Sequence, residues 1–217
     1  MTWSEIVVLA LVVAVLVGWL LWVAASRLDR LHRKVMASRL ALEAQLVRRA
    51  SAAVDLSTSG ELDPVTSVLV AEAAHAVLDD DADAGRLAET VPGLVMVPGP
   101  RPRRLLGGMA QSRALAESDL SATLRSALED PDDVAELRAT PVGHELLGYL
   151  SAAWYRAQLA RRFHNEAVAQ AQRVRRTWWV RVFRLAGHAP MPLTVEIDDA
   201  WPPALGRPAE AAAAGRA

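Results

Sequence analysis

Hydrophobic positions are laid out along this chain in two ways. From Ile6 to Ala25 they form an unbroken run of 20 residues with no charge in it. Beyond Arg27 they recur at three- and four-residue steps between polar positions. The first pattern predicts a membrane-spanning helix, because ~20 residues at ~1.5 Å each cover the ~30 Å hydrocarbon core of a bilayer. Trp3, Trp19 and Trp22 stand near its ends, where indole rings favour the membrane–water boundary. The second pattern predicts amphipathic helices.

The first of these runs from Arg27 to about Thr58, with Leu28, Leu31, Val35, Leu42, Leu46, Ala50 and Ala53 on one face. No Gly or Pro interrupts it, so it is expected to continue directly from the apolar run and to stop at Gly60. Asp63-Pro64 restarts a helix as N-cap and first residue. Val65, Val68, Leu69, Ala73, Ala76 and Val77 are its expected core face, and it is expected to fray at Asp79. Residues 91–108 hold four prolines and four glycines and read as a loop, with Leu94–Val97 as a short extended piece. A third helix is expected from Gln111 to Glu129, carrying Leu120, Leu124 and Leu128 and ended by Asp130-Pro131-Asp132-Asp133. Thr140-Pro141 then opens a long helix to about Arg176. Its expected core positions are Leu146, Leu147, Leu150, Trp154, Ala157, Phe163, Ala167, Val168, Ala171 and Val174.

The predicted organisation is a flank (1–5), a transmembrane helix (6–25), a helical body (26–187) and an extended and disordered tail (188–217). Within the tail, Leu193–Ile197 looks strand-like and the Ala-rich end disordered. The fold class is all-α. The N-terminal transmembrane helix is expected to continue into an antiparallel four-helix bundle with long first and last helices and coiled-coil-type packing.

Flanking charge sets the expected orientation. Arg27, Arg30, Arg33, Lys34 and Arg39 follow the run closely, and the positive-inside rule puts that side in the cytoplasm. Val23-Ala24-Ala25 before Ser26 would suit a signal peptidase. The preceding segment, however, carries Glu5 and no Lys or Arg, and the run exceeds a usual signal core, so an uncleaved anchor is the expected form. The expected topology is an outside N-terminus, a single pass through the cell membrane and a cytoplasmic C-terminal domain.

Composition narrows the chemistry. There are no cysteines, which excludes disulfides, thiol nucleophiles and thiolate metal sites. A net charge of −1 gives no bulk attraction to nucleic acid, and none is expected as a partner. Lys34 is the only lysine among 24 basic residues, as in proteins from GC-rich bacterial genomes. Charge is uneven, with residues 61–90 acidic and 161–184 basic.

Two helix motifs resemble those of the LemA family, bacterial single-span proteins with a four-helix bundle behind an N-terminal anchor. Gln45-Leu46-Val47-Arg48-Arg49 matches the pattern typical of that family's first helix. Ala160-Arg161-Arg162-Phe163-His164-Asn165, with Val168 three residues on, matches its last helix except that His164 replaces a tyrosine. Val180–Gly187 echoes the amphipathic segment that follows. Ala171-Gln172 stands where a second Tyr-Asn pair is usual, and the proline expected near Trp178-Trp179 is missing. Residues 91–108 look like an insertion. The resemblance implies architecture, not catalysis, and makes Gln45, Arg49, His164 and Asn165 candidates for setting helix register.

Catalytic patterns are missing. His32, His75, His144, His164 and His188 form no His-Glu-x-x-His pair, and there is no Walker loop, dinucleotide fingerprint or nucleophile elbow. Asp79, Asp81, Asp83 and Gly85 alternate as in a calcium loop, but Glu89 comes too early for its terminal ligand, and a solvated helix end is expected. No metal or cofactor is predicted, and no enzymatic activity.

The sharpest functional signal is Arg173–Leu185, read as RVRRTWWVRVFRL. At ~100° per residue Trp178, Trp179, Val182, Phe183 and Leu185 share one side, opposite Arg173, Arg181 and Arg184, while Arg175 fits neither. That is the pattern of an interfacial helix. If helix four returns towards the membrane, this segment and the Arg27, Arg30, Arg33 and Lys34 cluster would meet the anionic leaflet together. Otherwise Trp178, Trp179 and Phe183 would cap the bundle core. The expected function is a membrane-anchored scaffold or adaptor that acts through the lipid bilayer and a protein partner, with self-pairing into a homo-oligomer open to it. The alternative is a sensing bundle that binds a small molecule or peptide in a pocket near His164 and Asn165.

Overall fold

The computed structural model of the chain describes residues 3–90, 109–187 and 189–208, with the side chains of 80–90 outside that description. The loop expected at 91–108, the acidic side chains after Asp79, His188 and the Ala-rich end lie outside the described residues. The fold is all-helical, with no strand among the described residues.

Helix α1 spans Trp3–Thr58, 56 residues or about 84 Å. Its apolar N-terminal portion is exposed, and full burial begins at Leu28. Val35, Leu42, Leu46, Ala50 and Ala53 continue the buried stripe. The span and the first amphipathic helix are therefore one element. Gly60 turns the chain with φ +79°, a conformation that costs a residue with a Cβ far more.

Helix α2, Pro64–Thr90, begins where the Asp63 carboxylate accepts the N–H groups of Val65 (3.0 Å) and Thr66 (3.1 Å). Two expectations are corrected here. The helix runs past Asp79, because alanines alternate with the aspartates and alanine is the strongest helix former. Its core face is Val70, Ala73, Ala74 and Val77, whereas Val65, Val68, Leu69 and Ala76 are exposed. The sequence carries two apolar stripes on α2, and packing selected the one with smaller side chains.

Helix α3 spans Gln111–Ala127 and α4 spans Pro131–Ala139. The Asp-Pro-Asp-Asp segment, expected only to end a helix, also starts one. Asp130 accepts the Asp132 N–H at 2.9 Å, and Pro131 occupies the first helical position. Helix α5, Pro141–Arg175, is capped by Thr140, whose Oγ accepts the Gly143 N–H at 2.9 Å. Gly143 must be small, because a Cβ there would lie 2.1 Å from the Leu137 carbonyl oxygen. Helix α6 is a short Trp178–Val182 segment.

Helix α1 packs along α5 and α2, and α2 along α3. One core joins Leu56, Val70, Val77, Leu120, Leu124, Leu147, Leu150 and Trp154. Phe163, expected in the core, is exposed, and its neighbour His164 is buried instead.

The segment after Gly187 is more than a loose tail. Residues 189–202, without regular secondary structure, lie against α3 and α5 and then form a turn of 3-10 helix at Pro203–Leu205. Val195 packs with Leu42, Leu46 and Ala157, Leu205 joins the main core, and the Trp201 ring lies 6.1 Å from Trp154. Ser151, Gln158, Asn165 and Gln172, seven residues apart on one face of α5, hold its backbone. They donate to the carbonyls of Gly206 (3.1 Å), Asp199 (2.6 Å), Val195 (3.1 Å) and Pro192 (2.8 Å). Asn165 also accepts the Val195 N–H at 2.9 Å. Asp198 pairs with Arg125 of α3 and Asp199 with Arg161 of α5, each at 2.7 Å. Leu193–Ile197, expected to be strand-like, is not a strand: helical side chains supply the hydrogen bonds that a strand partner would give.

Candidate functional site

The candidate site is built at the end of the helical body that follows the apolar run. Contacts between α1 and α5 proceed in opposite chain order. Arg49 lies over the Trp154 ring at 5.1 Å, Ser38 Oγ is 3.1 Å from His164 Nδ1, and Lys34 Nζ donates to Gln170 at 3.2 Å. Arg175 then lies close enough to His32 for its charge, after burial, to hold that imidazole below its usual range. Helix α5 thus ends beside the part of α1 that follows the apolar run. On the α1 side Leu21, Ala24, Ala25 and Ser26 are half-buried, although the rest of the apolar run is largely exposed.

The segment expected to be one amphipathic helix is broken. Helix α5 ends at Arg175, and Thr177 adopts an extended conformation (φ −64°, ψ 139°) before α6. The helical projection therefore does not carry through from Arg173. Val180, absent from the predicted apolar side, is the buried residue at 2 % exposure. Trp178 is 72 %, Val182 66 % and Phe183 48 % exposed, while Trp179 is half-buried. Trp178 and Phe183 thus do not cap the core.

Exposed basic side chains occur both on α1 after the apolar run and around α6. Arg27, Arg30, Arg33 and Lys34 are exposed on α1, with Arg33 paired to Asp29. Arg173, Arg181 and Arg184 are exposed on the other side. Arg175, which fitted neither side of the projection, donates to the carbonyls of Ala189 (2.7 Å) and Pro190 and so anchors the tail. From residue 161 to 187 there are seven arginines and one acid, Glu166.

The four register candidates fare differently. Arg49 is fully buried and links α1 to α3. It donates to the Glu117 carboxylate (2.7 Å), the Glu117 carbonyl (3.1 Å) and Ser121 Oγ (2.9 Å). Glu117, also fully buried, accepts Arg113 Nε at 3.0 Å, and Arg113 donates to the Val77 carbonyl at 2.7 Å. Gln45 is half-buried. His164 faces Ser38, and burial together with the nearby Arg39 guanidinium lowers its pKa to about 4. Asn165 engages the tail rather than a neighbouring helix, with both of its polar side-chain atoms on Val195. Asn165 is thus satisfied from within the chain, whereas His164 Nε2, Arg39 Nη1 and Gln45 Oε1 are buried without a hydrogen-bond partner among the described residues.

Neither a family model, nor a curated protein, nor a solved structure matches this chain. Function is accordingly argued from the site alone. No group of three or more metal-ligating side chains occurs among the described residues.

Several contributing residues were not evident from the sequence. Glu117 and Arg113 carry a signal, since charges four apart share the α3 face of Leu120 and Leu124. The seven-residue spacing of Ser151, Gln158, Asn165 and Gln172 is visible, but its meaning depends on where the tail lies.

Proposed function

We propose that this protein is a membrane-anchored helical scaffold that presents its soluble body close to the bilayer and acts through protein and lipid contacts. The observation that carries this reading is the continuity of α1. One helix contains a segment of mean hydropathy 3.0 with none of that window buried, and the core-forming stripe starting at Leu28 follows without a break. A helix of that length and apolarity can cross a membrane. An unbroken helical joint transmits orientation, whereas a flexible linker would let the body tumble.

The body is read as a four-helix bundle of α1, α2, α3 and α5, with α4 as a connector and α1 and α5 antiparallel. The resemblance of its Gln45–Arg49 and Ala160–Asn165 motifs to LemA proteins supports that organisation. Positive charge after the span directs the body to the cytoplasm. There the exposed Trp178, Val182 and Phe183, flanked by arginines, meet an anionic leaflet that attracts each basic residue by ~1 kcal/mol.

Protease protection in right-side-out membrane vesicles tests the topology. The C-terminal body should resist external protease and become cleavable when the vesicles are opened. Digestion from outside in sealed vesicles would overturn the orientation.

A further inference from the structure

An open cleft of about 450 Å³ lies beside α6, and its walls are Arg175, Arg176, Arg181 and Arg184 with Val180 and Met191. Its electrostatics are uncompensated. Among the described residues Arg176, Arg181 and Arg184 carry no ion pair or hydrogen bond from a side chain, and no carboxylate lines the cleft. Elsewhere in the body Arg49, Arg113, Arg125 and Arg161 are each paired with an acid. Converging guanidinium groups repel one another, and an anion between them removes that repulsion while accepting several N–H donors at once.

The backbone adds a second observation. Helix α6 ends in a Schellman arrangement, with the Leu185 N–H on the Val180 carbonyl (3.1 Å) and the Arg184 N–H on the Arg181 carbonyl (3.3 Å). The left-handed residue of that motif is normally glycine, but here it is Arg184 at φ +47°, the one non-glycine residue with positive φ among those described. The chain keeps an arginine where glycine would be less strained, and that arginine lines the cleft. The tail completes the wall, because Arg175 is fixed by the Ala189 and Pro190 carbonyls next to Met191.

We infer that this cleft is a binding site for a phosphate-bearing anion, and that its source is the headgroup of an anionic phospholipid. The flanking Trp178, Val182 and Phe183 are exposed and apolar, and they follow Arg175, whose charge reaches His32 on α1, seven residues beyond the end of the apolar run. A free phosphate has no acyl region to place against them. This inference deepens the membrane-surface reading proposed above and rests on it only for the lipid as source.

The test uses the full chain in a neutral detergent and intrinsic tryptophan fluorescence, with dihexanoyl phosphatidic acid, dihexanoyl phosphatidylcholine and inorganic phosphate as probes. Saturable binding of phosphatidic acid is expected, with little response to phosphatidylcholine. Arg181→Gln/Arg184→Gln should weaken phosphatidic acid binding at least tenfold. The equal-charge control Arg48→Gln/Arg156→Gln, at exposed positions of α1 and α5 outside the cleft, should change it less than twofold. Arg184→Gly separates ligand binding from folding: it should weaken binding while leaving the melting temperature unchanged or raised. Equal losses in the two double variants would overturn the cleft as a site, while leaving general attraction to an anionic surface intact. Inorganic phosphate binding as tightly as the lipid would overturn the headgroup assignment and keep the phosphate site.

Discussion

Replacing Glu117 by Gln is the most demanding test of how the body is held together. Its carboxylate is fully buried and receives Arg49 at 2.7 Å and Arg113 at 2.9 Å. Glutamine keeps the volume and one acceptor oxygen but removes the only carboxylate paired with these two cations among the described residues. Arg49 would keep Ser121 and the Glu117 carbonyl, and its stacking on Trp154, yet would remain a buried cation without a counter-charge. Breaking a buried ion pair from one side costs about 3–5 kcal/mol. Against a typical stability of about 5–15 kcal/mol, that is a large fraction. Urea unfolding of the full chain in detergent, followed by far-UV circular dichroism, should show the loss as a lower midpoint. The double variant Arg49→Met/Glu117→Leu should recover part of it, because the fully buried cation then leaves together with its counter-charge, while Arg113 keeps the Val77 carbonyl. A loss below about 1 kcal/mol in Glu117→Gln would refute the reasoning, since a cation that tolerates losing its partner is hydrated rather than buried.

Three further outcomes follow from the same geometry. Asn165→Ala removes both side-chain bonds to Val195 and should cost about 1–3 kcal/mol, with faster hydrogen exchange at the Val195 amide; unchanged exchange there would mean the tail is held elsewhere. His164 is kept neutral when folded, with a pKa of about 4, while its unfolded value is near 6.5. The unfolded chain therefore binds a proton that the folded chain refuses, so this stabilisation is complete above about pH 6.5 and falls by roughly 3 kcal/mol as pH drops to about 4; unfolding free energies at pH 7, 5.5 and 4.5 should show a shallower slope in His164→Gln. Trp178→Ser and Phe183→Ser should each change stability by under about 0.5 kcal/mol, whereas Val180→Ala should cost roughly 1–2 kcal/mol; thermal melts giving the reverse order would return the aromatic residues to the core.

Much of the local structure was legible along the chain, because its rules are local. The apolar run of Ile6–Ala25, the stripe from Leu28 to Ala53 and the caps at Asp63 and Thr140 each depend on residues within a turn or two, and each stands where the pattern puts it. An absence of cysteine likewise settles a class of chemistry without any coordinates. Where two local readings compete, only packing decides between them. Helix α2 has two apolar stripes, and the one carrying Val70 and Ala74 is the one buried where α2 packs on α1 and α3. Glu117 looks like an ordinary helical acid until α1 delivers Arg49 to it from 68 positions away along the chain. Asn165 and its seven-residue companions are polar marks on a helix until the tail folds back along them. Arg176, Arg181 and Arg184 become a cleft only because the chain breaks at Thr177 and turns at Arg184, which a helical projection cannot represent. The sequence thus determined the membrane-length helix and most of the secondary structure through periodicity and capping. Tertiary structure decided which charges meet, since Coulomb and hydrogen-bond energies depend on separation in space and not along the chain.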